Sequence, residues 1–135
     1  MPRVEFIVEG SPTSHQTKNK KALHAWKLRV RSEAGKVWTQ PPLTGLVQCT
    51  IINFFEGTQA PLDDDNLVKP IRDALNGLVY QDDKQITHSE TIQYGIDAPV
   101  KIRRGSSVLL DAYGKGEEFL YVRIDHAPDF IQLPR

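Results

Sequence analysis

Residues 62–86 read LDDDNLVKPIRDALNGLVYQDDKQI, and this stretch decides the architecture. Leu67, Ile71, Ala74, Leu75 and Leu78 recur at three- and four-residue spacing, which predicts an apolar stripe on a helix over about Asn66–Asn76. Asp65 suits its N-cap, and Gly77 suits the position just past its end. Pro70 fits such a helix only close to its start, where a missing N–H is tolerated. Upstream, Leu46–Phe55 is rich in β-branched and aromatic residues and predicts a strand, with Val47, Cys49, Ile51 and Phe55 facing one way. Downstream, Asp82-Asp83 opens a turn into another strand, about Ile86–Ile96.

Further out, Val4, Phe6 and Val8 alternate with Glu5 and Glu9, the period of a half-buried strand. A polar loop over 10–19 leads to a second helix, whose stripe is Leu23, Trp26, Val30, Ala34 and Val37. Lys20, His24, Lys27 and Arg31 share another face of it, and Gly35 is expected to end it early. The region around Gly105, Gly114 and Gly116 reads as a loop, followed by a strand over Glu118–Asp125. These elements amount to an α+β, two-layer domain over residues 1–125. Its mixed sheet has about four strands and carries two helices, and residues 126–135 form an irregular tail.

Composition narrows the function classes. The 135 residues are 39% hydrophobic and 25% charged, an ordinary globular balance. The longest apolar run, Ile51–Phe55, is interrupted by Asn53, so no membrane span is expected. The charged N-terminus does not read as a secretory signal, and a cytoplasmic, nucleoid-associated protein is the expectation. Cys49 is the sole cysteine, which excludes an internal disulfide and a cysteine-based zinc cluster. His15, His24, His88 and His126 share no metal-ligand spacing and receive no catalytic role.

Net charge is zero, yet the charges are segregated. Residues 1–42 hold eight basic and three acidic side chains, whereas residues 63–83 hold six aspartates against Lys69 and Arg72. A basic surface beside an acidic cluster suits a protein that holds a polyanion and works on it with a metal. Asp63 and Asp65, two apart in an extended stretch, are expected to point to the same side. Asp65, Asn66, Lys69 and Asp73 then gather around the helix start, and the chain returns at Asp82-Asp83. Carboxylates brought that close repel, and a hard divalent cation relieves the repulsion. The plainer reading of the same residues is a helix cap and a turn. An EF-hand starting at Asp63 fails, because Val68 and Ala74 stand where glycine and glutamate are needed. No nucleophile elbow or Gly-rich phosphate loop is present.

The pattern Asp63-x-Asp65-Asn66-Leu67-x-Lys69, Asp73-Ala74-Leu75-Asn76-Gly77 and Asp82-Asp83-x-Gln85-Ile86 resembles the RusA family of Holliday-junction resolvases. The flanking elements agree, so the resemblance extends over residues 3–125. It implies a Mg²⁺-dependent endonuclease, with Mn²⁺ as a substitute, that cuts four-way DNA junctions as a homodimer. It also implies that Asp63, Asp65 and Asp83 bind metal and that Lys69 is essential. Asn66, Asp73 and Asp82 then support those residues. The family prototype carries arginines just before D-x-D-N, where this chain has Thr58-Gln59-Ala60-Pro61-Leu62. Lys18, Lys20, Lys21, Lys27 and Arg31 are the expected DNA-backbone contacts, and Lys101, Arg103 and Arg104 can add to them. Two alternatives stay open: a nuclease for other branched DNA, and a non-catalytic DNA-binding module.

Overall fold

A computed structural model describes residues 4–134 of the chain. Four strands form one sheet: β1 (Val4–Glu9), β2 (Val47–Phe55), β3 (Ile86–Gly95) and β4 (Phe119–His126), in the order β1-β4-β2-β3. β4 runs antiparallel to both β1 and β2, while β2 and β3 are parallel. Parallel neighbours need a crossover, and α2 (Asp64–Leu75) supplies it. The α+β class with a mixed four-stranded sheet is as the sequence predicts.

α1 (Lys20–Val37) and α2 pack on one sheet face. Trp26, Val30 and Ala34 of α1 and Leu67, Ile71 and Leu75 of α2 close over Val47, Cys49 and Ile51. Asn19 caps α1 by accepting the Ala22 N–H at 3.0 Å. The helix does not end at Gly35. It runs on to Val37, because Ala34 and Trp38 are buried, and that burial outweighs the roughly 1 kcal/mol cost of a helical glycine.

Two expectations are corrected here. There are three helices, since Ser107–Gly114 forms α3 within the predicted loop. Ser106 caps it, and Leu109 and Ala112 bury against Phe54, Phe119 and Tyr121 on the other sheet face. α2 also starts before Asn66. Its N-cap is Asp63, and Asp64 and Asp65 already lie in the first turn, where their charge suits the helix dipole. Pro70 is therefore mid-helix. Beyond β4 the tail is irregular, with His88 Nε2 3.3 Å from the Phe130 carbonyl oxygen. Among the described residues no helix is long and apolar enough to cross a membrane.

Candidate active site

The first two turns of α2, the 3₁₀ turn Asp83–Gln85 and the loop around His15 enclose an open cleft of about 580 Å³. Asp65, Asn66, Lys69, Arg72, Asp83 and His15 line it. The Lys69 Nζ donates to Asp73 Oδ1 at 2.8 Å and stands 3.9 Å from Asp83 Oδ2. On the far side, Lys27 Nζ lies 3.7 Å from Asp73 Oδ2. The charges thus alternate in the order Lys27, Asp73, Lys69, Asp83. The hydrogen bond to Asp73 is the main cause that raises the Lys69 pKa, and the ammonium stands at the cleft as a cation.

Each edge of the cleft is tied down. At the turn, Asp82 accepts the Lys84 N–H at 2.9 Å, which is the main reason its carboxyl titrates below the usual range. Gln85 completes a capping box by accepting from the N–H groups of Gln81 and Asp82 at 2.8 and 3.0 Å. Its amide nitrogen donates to the carbonyls of Leu43 and Gly45, both at 2.8 Å. Gln85 thereby fixes the turn that carries Asp83 to the segment ahead of β2. At the helix start, buried Asn53 donates to Gln93 Oε1 at 3.1 Å. Gln93 Nε2 in turn donates to the Leu62 carbonyl at 2.7 Å and to Asp64 Oδ1 at 2.8 Å. The acidic stretch is therefore anchored to the sheet.

Pro70 explains the third edge. A proline has no N–H for the carbonyl four residues back, which here is Asn66. That carbonyl accepts the backbone N–H of His15 instead, at 3.0 Å. The missing helix bond thus brings the loop, and the His15 ring, to the cleft. His15 Nδ1 is buried and has no hydrogen-bond partner among the described residues.

The structure places the remaining predicted site residues as follows. Asp63 is the N-cap of α2 and Asp65 lies in its first turn, so the two-residue alternation of an extended chain does not apply between them. Asp65 lines the cleft, and Asp63 stands at the helix start just before it. Asn66 contributes its carbonyl to the His15 tether, Asp73 is engaged by two lysines, and Asp82 turns into its own cap. Among the described residues, no group of three or more His, Cys, Asp or Glu side chains stands together as a metal cage. Asp65 and Asp83 nevertheless present hard oxygen donors to one open cleft. Mg²⁺ takes one or two carboxylates while keeping several waters, so this donor set fits it.

The basic residues divide into two groups. Lys18, Lys20 and Lys21 are exposed and make no ion pair among the described residues. Lys27 is engaged with Asp73. Arg31 donates to the carbonyls of Ala74 and Asn76, at 3.0 and 2.9 Å. It satisfies acceptors that the end of α2 leaves open, rather than projecting with Lys20 from a free face.

Sequence reasoning missed the roles of His15, Gln85 and Gln93. A signal existed for His15, since a proline inside a helix implies a free carbonyl that something must satisfy. No comparable signal marked Gln93, whose partners lie 29 to 40 residues away.

No curated protein matches the chain. The family model described as endodeoxyribonuclease RusA matches residues 8–103, a span that contains α1, β2, α2, the Asp83 turn and β3. With that match extending over most of its length, and with Asp65, Asn66, Lys69 and Asp83 at one cleft, the chain belongs to the RusA family of Holliday-junction-resolving endodeoxyribonucleases.

Proposed function

We propose that this chain hydrolyses phosphodiester bonds of four-way DNA junctions at the Asp65–Lys69–Asp83 cleft, with Mg²⁺ as cofactor and Mn²⁺ as a substitute. The observation that carries this reading is Lys69. Its ammonium is held between Asp73 and Asp83 at the rim of a cleft open to a DNA backbone. A cation so placed neutralises charge that develops on phosphoryl oxygens, and it is oriented before the substrate arrives. Asp73 positions that cation, and the Gln85-anchored turn sets Asp83 opposite it. Asp65 and Asp83 would hold the divalent ion, which would supply Lewis-acid polarisation of the phosphate. Asp63 is close in sequence and completes the family pattern. Lys18, Lys20 and Lys21 supply phosphate contacts that hold DNA without reading its sequence.

Two symmetric cuts suit a homodimer, because a twofold protein matches a twofold junction. Light scattering is expected to give about twice the 15.3 kDa chain mass, and a monomer that retains activity refutes the dimer. The resulting enzyme works on chromosomal or phage DNA in the cytoplasm. The deciding experiment is a gel assay on a synthetic junction with Mg²⁺, with Mn²⁺ and with chelator, using the wild type and Asp65→Asn. Paired metal-dependent cuts by the wild type, with the variant binding but not cutting, are expected. Binding without cleavage under every metal condition establishes a non-catalytic module instead. Equal cleavage of flaps and forks removes the junction from its place as preferred substrate.

A further inference from the structure

The sheet face opposite the active-site cleft carries a second built feature. α3 covers the β1–β4 side of that face and leaves the outer part of β2 and β3 open. Over the open part lies the turn 99–106, and between turn and sheet is a cavity of about 380 Å³. Ile52, Ile92 and Tyr94 line its sheet side, with Glu90 as a lone acid there. Lys101, Arg103 and Arg104 form its rim. These three are exposed and make no ion pair among the described residues, whereas Arg123 beneath them is paired with Asp125 at 2.6 Å.

The turn is held in place. Tyr94 Oη donates to the Pro99 carbonyl at 2.9 Å. Arg104 adopts φ +59°, a left-handed conformation that a non-glycine side chain rarely takes. At Gly105 a Cβ would come within 2.8 Å of Ile102 and 3.1 Å of Leu110. Ser106 caps α3 and donates to Glu5 Oε2 at 2.8 Å. A solvated basic loop requires none of these constraints. Together they hold three cations above an apolar and aromatic surface.

We infer that this cavity binds a second strand of the nucleic-acid substrate, with its phosphates on Lys101, Arg103 and Arg104 and an unpaired base against Ile92 and Tyr94. The inference rests on DNA being the substrate. A cavity this size accepts one nucleotide but not a duplex. Cationic grooves with aromatic floors bind single strands regardless of sequence. The cavity and the active-site cleft lie on opposite faces of the sheet, so the strand held here is not the one being cut. Opening of base pairs at the branch point supplies such a strand. The rim also supplies positive charge that residues 58–62, ahead of the acidic motif, lack.

The test compares wild type with the triple variant Lys101→Ser, Arg103→Ser, Arg104→Asn, in which asparagine tolerates the left-handed backbone. Fluorescence anisotropy is read against a labelled four-way junction and a short oligothymidine strand over a salt series. The variant is expected to bind the oligothymidine at least about tenfold more weakly. Its log–log salt slope for the junction should fall by about two to three units. If the triple variant melts early, Arg103→Glu alone carries the same direction of effect. Equal affinity and slope, with wild type binding the junction, overturns the inference and leaves the function intact. A variant that changes from dimer to monomer by sedimentation also overturns it, since the face is then a contact between copies. If wild type binds neither probe, DNA as substrate falls and this inference with it.

Discussion

Gln85→Ala is the sharpest probe of how the site is assembled. The Gln85 side chain makes four hydrogen bonds, accepting from Gln81 and Asp82 and donating to the carbonyls of Leu43 and Gly45. A net value near 1 kcal/mol per bond would give about 4 kcal/mol. The N–H groups of Gln81 and Asp82 and the Gly45 carbonyl lie at exposed contacts and rehydrate, while the Leu43 carbonyl contact is partly buried. The expected loss is therefore about 2 kcal/mol. At roughly 3–5 °C per kcal/mol for a domain of this size, Tm should fall by about 6–10 °C. The catalytic effect should be larger than the thermal one, because Asp83 stands opposite Lys69 only while its turn is fixed. Turnover at saturating junction should drop at least about tenfold, with Kd nearly unchanged, as for a group that acts in the transition state. Gln85→Glu keeps the acceptor but sets a carboxylate oxygen against the Leu43 and Gly45 carbonyls, and should be at least as damaging as alanine. Scanning calorimetry and single-turnover cleavage read the two effects separately. If Gln85→Ala melts within about 2 °C of wild type and cuts at the wild-type rate, the turn holds itself and the assignment is wrong.

Other outcomes follow from the same geometry. Lys69→Ala should lower the saturated cleavage rate by about two orders of magnitude or more while binding changes little. Lys27→Ala, which frees one oxygen of Asp73, should have a smaller effect in the same direction; normal turnover in Lys69→Ala would make that lysine a mere phosphate contact. Pro70→Ala restores an N–H aimed at the Asn66 carbonyl, so hydrogen-exchange protection of the His15 amide should fall about tenfold. Unchanged protection would mean the loop keeps His15 in place unaided. Cys49 is buried and its thiol is pushed up to about 11, so a thiol reagent at pH 8 should react only on unfolding. Because its folded pKa is raised, the stability tied to Cys49 is present below the ordinary value of 9.0 and is lost as pH rises to about 11. Rapid labelling of the native protein would contradict that burial.

The central unit was legible in the sequence because its signals are local. The stripe of Leu67, Ile71, Ala74 and Leu75 needs only the helical period, and the alternation of Val4, Phe6 and Val8 only the strand period. The spacing of Asp65, Lys69 and Asp73 likewise put the ion pair within one helix face, where it is found. α3 was not legible. A helix of eight residues is marginal by itself, and it forms where Leu109 and Ala112 meet a sheet face built from distant strands. The cap of α2 misled for a related reason, since any of Asp63, Asp64 and Asp65 satisfies the local preference. The start at Asp63 comes with the Asn53–Gln93 chain, which anchors Leu62 and Asp64 to the sheet. The hydrogen bonds of Arg31 were not legible either, because the carbonyls it meets at Ala74 and Asn76 lie 43 and 45 residues away. Periodicity along one chain assigns faces to helices and strands. Which hydrogen-bonding group ends up beside which is decided only when those faces pack, because an unmet carbonyl such as that of Asn66 accepts whatever donor the fold brings within reach.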